Sequence, residues 1–170
     1  MDETIRLAQS GDRDAMTTLV REHYAVVYRF CARRLGPELG QDAAQETFLT
    51  MHKSIRKWEG RSSLQTWLLG VANNHCRHLA AKKRLDPAPL EHWFDAPTNG
   101  HGEQIAEREA LRAALSKLSP EHREVVLLHE VEGLRYAEIA ELIGIPEGTV
   151  KSRLHHAFLN LRTTLQGGMA

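Results

Sequence analysis

A stretch of prolines and glycines interrupts the chain and divides it into two parts. The segment LDPAPLEHWFDAPTNGHGE, from Leu85 to Glu103, is too rich in helix-breaking residues to form a regular helix. The breakers are Pro87, Pro89, Pro97, Gly100 and Gly102. This composition is typical of an interdomain linker. In a chain of 170 residues it predicts two small domains, at residues 1–85 and 105–170, joined by a linker at residues 86–104.

Both parts are predicted to be helical, because apolar residues recur at three- and four-residue steps while alternating strand patterns are almost absent. We therefore predict an all-α fold. The predicted helices run from a cap at Asp12 or Asp14 to Gly36, and over residues 41–57, 105–117, 120–131, 136–143 and 147–165. A further helix opens at Ser62 or Ser63, and its apolar face is predicted to contain Leu64, Trp67, Leu68, Val71, His75 and Leu79.

The charge of the chain is balanced but unevenly distributed. Lys and Arg number 22, as do Asp and Glu. Residues 56–84 carry seven basic side chains and one acidic one (7 − 1 = +6). Residues 120–148 carry two basic side chains and seven acidic ones (2 − 7 = −5). After Glu147, the segment up to Arg162 is basic without an acid. Localised positive charge is typical of contact with phosphate backbones, although a solvated face explains the central window equally well.

The sequence gives no support for catalysis or for membrane insertion. No glycine-rich phosphate loop follows a strand and no HExxH sequence occurs, so we expect neither an enzyme nor a cofactor. The first residues, MDETIRLAQSGDRDAM, lack the basic and apolar regions of a signal peptide, and nowhere do eighteen apolar residues run together. We therefore expect a cytoplasmic protein.

Two cysteines and two histidines raise the alternative of a zinc site, formed by Cys31, His75, Cys76 and His78. His75 falls on the predicted apolar face of its helix, and Cys76 lies about 100° around the helix from it. These side chains do not readily meet one ion. We expect a packed histidine, buried free thiols and no metal.

The segment YAEIAELIGIPEGTVKSRL has the pattern of a helix-turn-helix. A short apolar helix is followed by a tight turn at Gly144 to Pro146 and by a second, amphipathic helix. The apolar side of this second helix is predicted to contain Val150, Leu154, Ala157, Phe158, Leu161 and Leu165. The opposite side contains Thr149, Ser152, His155 and His156, flanked by Lys151 and Arg153. Such a face fits a DNA major groove.

Four segments, in this order, resemble the extracytoplasmic-function (ECF) class of bacterial sigma factors, within the sigma-70 family. They are GDRDAMTTLVREHYAVVYRF, DAAQETFL, WEGRSSLQTWLLGVANNHCRHLAAKKR and LSPEHREVVLLHEVEGLRYAEIAELIGIPEGTVKSRLHHA. The resemblance covers nearly the whole chain except the linker. It implies a promoter-specificity subunit of RNA polymerase that directs the core enzyme to promoters and helps to melt them.

The resemblance also implies where the first domain makes its contacts. The β′ clamp helices of core RNA polymerase would bind Asp42, Gln45, Glu46 and Phe48. The minus-ten element would bind, with one base flipped out of the stack, at a loop formed by Glu59, Gly60, Arg61, Ser62 and Ser63. The following helix would add contacts from Asn74, Arg77, Lys82, Lys83 and Arg84.

In the second domain, the resemblance implies that the minus-thirty-five element is read as duplex by Thr149, Lys151, Ser152, Arg153 and His156. It implies further contacts with the polymerase β flap, a linker that threads through the polymerase, and an anti-sigma factor that clamps both domains. The chain departs from the usual family pattern at three places: Glu59 replaces a basic residue, Ala43 replaces a larger aliphatic one, and the pair His155-His156 replaces a pattern ending in arginine.

Two hypotheses from other classes remain open on the sequence alone. One is a stand-alone helix-turn-helix regulator that binds duplex DNA as a dimer, and independence of core polymerase would support it. The other is an adaptor whose second domain binds a partner helix. Indifference of binding to salt would favour the adaptor, because contacts with DNA phosphates weaken steeply as salt rises.

Overall fold

The computed structural model describes residues 2–85 and 102–167, and within these ranges the chain is helical, with no strand. The all-α prediction is confirmed. The elements are α1 (Glu3–Ser10), α2 (Arg13–Leu35), α3 (Pro37–Ser54), a 3₁₀ turn (Ile55–Lys57), α4 (Leu64–Lys83), α5 (Gly102–Ser116), α6 (Pro120–Glu130), α7 (Tyr136–Ile143) and α8 (Glu147–Gly167). None of the helices in the described ranges combines the length and the apolar character needed to cross a bilayer.

The chain forms two compact units, residues 1–87 and 88–170. Most of the predicted linker at 86–104 lies outside the described residues, and its last three residues are the first residues of α5. In the first unit, α1 was not predicted and α3 begins four residues earlier than the predicted helix at 41–57. Proline at the first position of α3 explains the early start, because an N–H group at this position would have no intrahelical acceptor and proline lacks one.

The first unit is built on α2, α3 and α4, which pack against one another. Its core consists largely of Leu19, Val27, Phe30, Met51, Ile55, Leu68 and Leu69, all at most 1% exposed. Gly40 of α3 lies against the backbone of α2, since a Cβ at this position would be 2.5 Å from the Cα of Ala32. The two helices therefore approach more closely than any side chain at position 40 allows.

The buried face of α4 differs from the predicted one. The buried apolar positions are Leu64, Leu68, Leu69, Ala72, Cys76 and Ala80. Trp67, Val71, His75 and Leu79 are only half-buried. The prediction followed the bulkiest apolar residues, whereas the small residues Ala72, Cys76 and Ala80 occupy the side on which α2 and α3 pack.

In the second unit, a buried arginine holds the junction between α5 and α6. Arg123 is 9% exposed. Its Nε donates to the carbonyl of Leu115 at 3.2 Å, and its Nη2 donates to the carbonyls of Ser116 (3.3 Å) and Leu118 (3.2 Å). These bonds supply side-chain donors to carbonyls in the last turn of α5 and just beyond it, where no further helical turn follows.

Candidate nucleic-acid interface and polymerase-docking surface

The predicted helix-turn-helix is formed by α7 and α8. Gly144 ends α7 in the left-handed conformation (φ 72°), and its N–H bonds to the carbonyl of Ala140 at 2.9 Å. This conformation favours glycine and turns the chain sharply into α8. The two helices pack against each other, and their buried side chains include Ile139, Leu142, Ile143, Val150 and Leu154.

The outer face of α8 lies where the sequence places it. Lys151, Ser152, His155 and His156 are exposed, and Thr149 and Arg153 are half-buried. The apolar face is narrower than predicted, because Phe158 is 40% exposed and Leu165 is half-buried. The buried positions are Val150, Leu154, Ala157 and Leu161, an alternating four- and three-residue spacing that falls on one narrow stripe.

One histidine near this face was not anticipated. His122, at the start of α6, stacks against His156 with ring centroids 6.4 Å apart and an angle of 16° between the planes. His155 meets His156 edge to face, at 5.6 Å. The imidazole of His156 therefore has neighbours on both α6 and α8. No spacing in the sequence connects position 122 to position 156.

The loop at residues 59–63 connects the 3₁₀ turn to α4. Glu59 and Arg61 bind each other, with Arg61 Nη2 2.6 Å and Arg61 Nε 2.9 Å from Glu59 Oε2. Both side chains are largely exposed, at 65% and 83%. Gly60 lies between them with φ 72°. The acid at position 59 thus balances the arginine charge within the loop itself.

The base of this loop is fixed by α1. Gln9 donates from Nε2 to the carbonyls of Ile55 and Trp58, each at 2.9 Å. The Trp58 ring in turn lies 6.5 Å from that of Trp67 on α4. Two hydrogen bonds from a single side chain anchor the turn that leads into the loop. Sequence patterns do not reveal this, because Gln9 and Trp58 are far apart in the chain.

Ser63, and not Ser62, caps α4. The Oγ of Ser63 accepts from the N–H of Thr66 at 3.0 Å, whereas Ser62 Oγ donates to the Ser63 carbonyl at 3.3 Å. We expect Ser63→Ala to lower the free energy of unfolding by about 1 kcal/mol, the usual cost of losing such a cap. Urea unfolding followed by circular dichroism measures it. Ser62→Ala is the matched control with little expected loss; equal losses would contradict the assignment of the cap.

The other predicted minus-ten residues lie along α4 and at its end. Asn74, Arg77, Lys82, Lys83 and Arg84 are all exposed. Arg84 closes the helix in the left-handed conformation, with φ 54°. The structure thus gives this surface an excess of positive charge toward the C-terminal end of the helix.

The predicted docking residues divide into two groups. Asp42, Gln45 and Glu46 are exposed on one side of α3, whereas Phe48 is buried (8% exposed) and its ring stacks on Tyr24 at a centroid distance of 5.9 Å. Phe48 therefore supports α3 from inside and does not share the exposed surface. Ala43 is also fully buried.

A groove of about 490 Å³ runs beside the exposed residues Asp42, Gln45 and Glu46 of α3. Its wall from α4 is formed by His75, His78, Leu79 and Lys82. His75 is oriented by Thr50, whose Oγ1 lies 2.9 Å from the histidine Nε2. The groove therefore combines two carboxylates from α3 with basic and imidazole groups from α4.

The two thiols form a buried pair. Cys31 and Cys76 are free and buried. A hydrogen bond from Cys31 lowers the pKa of the Cys76 thiol, and the positive charge of Arg34 acts in the same direction against the opposing effect of burial. The Nε2 atom of His75 is engaged by Thr50 Oγ1. Within residues 2–85 and 102–167, no group of three or more His, Cys, Asp or Glu side chains is arranged to hold a metal ion.

Comparison with known proteins places both units in one family. The family model described as "Sigma-70 region 2" matches residues 19–85, and the one described as "Sigma-70, region 4" matches residues 108–161. The ECF RNA polymerase sigma factor SigC of Mycobacterium tuberculosis is 32% identical over 156 residues, which covers 88% of this chain and 83% of the relative. The chain belongs to the ECF sigma factors of the sigma-70 family.

Two solved structures have a similar fold. CnrH, solved in complex with the cytosolic domain of CnrY, has a TM-score of 0.65 and 24% identity, with 96% of each chain covered. The sigma factor RpoE of Bartonella quintana, solved with the anti-sigma factor NepR, has a TM-score of 0.62 and 21% identity, covering 88% of this chain and 96% of that one.

Family membership decides between the hypotheses that the sequence left open. The protein is a sigma factor that acts in transcription initiation, with core RNA polymerase and promoter DNA as its partners. A stand-alone helix-turn-helix regulator and an adaptor do not account for a region 2 match over residues 19–85.

Proposed function

We propose that the two units divide promoter recognition between them. The first, with a boundary near residue 85, docks on the β′ clamp helices through Asp42, Gln45 and Glu46 and receives the melted minus-ten strand at Glu59 to Ser63. The second reads the minus-thirty-five duplex with Thr149, Lys151, Ser152, Arg153 and His156 of α8 and contacts the β flap. The part of the predicted 86–104 linker that precedes α5 connects them and threads through the polymerase.

One observation carries this proposal most directly. The N-terminal half of α8 presents an exposed face with Lys151, Ser152 and His156. On its opposite face Val150 and Leu154 are buried, and α8 packs against both α6 and α7. A helix held in this way behind a tight turn can enter a major groove without unfolding its support. The loop at 59–63 supports the proposed binding of the minus-ten strand. The side chains of Glu59 and Arg61 are exposed, and the turn that leads into the loop is held by the hydrogen bonds from Gln9.

Run-off transcription tests the proposal. Purified core polymerase is incubated with a promoter library, with and without this protein. The expected result is a set of protein-dependent transcripts whose templates share two spaced sequence elements. Salt-sensitive binding to duplex DNA without any core-dependent initiation would contradict the proposal.

Core docking through α3 predicts a selective effect of charge reversal. We expect Glu46→Lys to weaken holoenzyme formation about tenfold, because it reverses one of the two charges of the proposed contact. Anisotropy of the labelled protein, titrated with core polymerase, measures the affinity. Glu22→Lys makes the same charge change at an exposed position of α2. Equal weakening by both variants would mean that only the net charge matters and that this side of α3 is not the docking surface.

The proposal includes no catalytic activity of the chain alone and a cytoplasmic location, where core polymerase and promoters are found. It also includes an anti-sigma factor as regulator. The fold shared with RpoE, which was solved with the anti-sigma factor NepR, supports this partner class. Co-purification of this chain with a partner that blocks its transcription in the run-off assay tests it.

A further inference from the structure

A pocket outside all the predicted contact sets lies where the end of α1, the start of α2 and the end of α3 meet. Its volume is about 750 Å³. Its charged and imidazole groups are Asp12, Arg13, His52, Lys53 and Arg56. The proposed docking and promoter contacts use none of these side chains.

The charge of this pocket is positive. Arg13, Lys53 and Arg56 oppose only Asp12, so the sum is 3 − 1 = +2 with His52 neutral. The carboxylate of Asp12 is already engaged as the N-cap of α2, where it accepts from the N–H of Ala15 at 2.8 Å. Among the residues that the structure describes, none of the three cations forms an ion pair with a carboxylate. Cations gathered in a concave surface without counter-charges attract anions.

Arg56 has a defined position in the pocket. A Cβ on Gly11 would lie 3.0 Å from Arg56 Nη2, so the guanidinium lies directly over the glycine. Gly11 has φ 100°, a left-handed conformation that side chains rarely adopt. A guanidinium placed in this way can bind two oxygens of a phosphate group at once.

The pocket and the loop at 59–63 are neighbours. Arg56 belongs to the 3₁₀ turn that leads into the loop, and the turn is tied to α1 by the two bonds from Gln9. Glu59 is three positions after Arg56, so their backbones are at most about 10 Å apart. A nucleic-acid strand with a base in the loop therefore carries neighbouring phosphates close to the pocket.

We propose that this pocket binds a backbone phosphate of the single promoter strand whose base enters the 59–63 loop. The inference rests on the proposed role of that loop. Arg56 and Lys53 contact the phosphate oxygens, and Arg13 completes the positive rim. Because a free polyphosphate offers the same chemistry, the test separates the two sources.

The test combines a change in the protein with a change in the DNA. The holoenzyme is titrated with fork-junction promoters in which single phosphates of the non-template strand are replaced by neutral methylphosphonates. With the wild-type protein, we expect one linkage at which the replacement weakens binding about fivefold. Lys53→Gln should weaken binding to unmodified DNA by a similar factor, and the replacement at that linkage should then add nothing. The slope of log K against log salt should fall by about 0.7.

Arg21→Gln is the matched control. Arg21 is exposed on α2, about 12 Å along the helix from Arg13, and does not line the pocket. We expect its effect to be additive with every methylphosphonate. Because the methylphosphonate scan on wild-type protein changes only the DNA, the test does not depend on how the variants fold.

Additive effects of Lys53→Gln at every linkage overturn the proposal. Inorganic tripolyphosphate is titrated separately into the free protein. If Lys53→Gln abolishes tripolyphosphate binding while its effects on DNA binding are additive, the pocket is assigned to a free polyphosphate instead. A wild-type holoenzyme that binds equally well with and without the single strand would show that the proposed role of the loop fails. Strand-dependent binding without coupling to Lys53 would show that only the pocket assignment fails.

Discussion

Gly40→Ala is expected to lower the free energy of unfolding of the first unit by about 2–3 kcal/mol. A Cβ at position 40 would lie 2.5 Å from the Cα and 2.7 Å from the N of Ala32, and 3.0 Å from the carbonyl carbon of Cys31. These are backbone atoms of α2, so the contact is relieved only if the two helices separate. That separation would also loosen the buried residues between them, including Phe30 and Met51.

Gly70→Ala is the control for this prediction, because a Cβ at position 70 of α4 would have no atom within 4 Å beyond its chain neighbours and its own helix backbone. Alanine is the better helix former, so this variant should gain about 0.5–1 kcal/mol. Urea unfolding by circular dichroism gives both values, and hydrogen exchange of the α2 and α3 amides assigns the loss to the first unit. A Gly40→Ala protein as stable as the wild type would show that α2 and α3 are not in close contact at this point.

The local signals in the sequence predicted much of the fold because they act over a few residues. Asp12 and Ser63 cap helices by bonding to an N–H three residues ahead, and Gly144 ends α7 through its own backbone conformation. The bounds of α7 agree with the predicted helix at 136–143. Interactions of this range can be read from spacing alone.

The sequence did not reveal two kinds of interaction. Some join residues that are far apart in the chain, and others involve buried residues of a type that is usually exposed to solvent. Gln9 bonds to carbonyls 46 and 49 positions away. Arg123 resembles any surface arginine in composition, yet it is buried on three carbonyls. The buried face of α4 was misplaced because size was taken as the guide to burial, while small residues mark the closest helix contacts. Phe48 was assigned to a docking surface although its ring packs on Tyr24.

Lys151→Glu is expected to weaken holoenzyme binding to the minus-thirty-five duplex by about 3 kcal/mol, roughly a hundredfold. Lys151 is exposed in the second turn of α8, in the part of a reading helix that reaches base edges and phosphates. The substitution removes one cation and also places a carboxylate against the DNA. Anisotropy with duplexes taken from the promoters found by run-off transcription measures the affinity. The slope of log K against log salt should fall by at least about 1.

Arg162→Glu provides the same change of charge on the same helix. Arg162 is exposed and lies about 16 Å along α8 from Lys151, beyond the part that a major groove accommodates. Since screening reduces the effect of a charge over this distance, we expect this variant to lose only about twofold in affinity. Duplexes with altered minus-thirty-five sequences show whether Lys151 contacts a base or a phosphate. Lys151→Glu should reduce discrimination between sequences if Lys151 contacts a base, and leave it unchanged if Lys151 contacts a phosphate. Equal weakening by the two variants would mean that α8 attracts DNA only by its overall charge, and the face around Lys151 would then not be the reader.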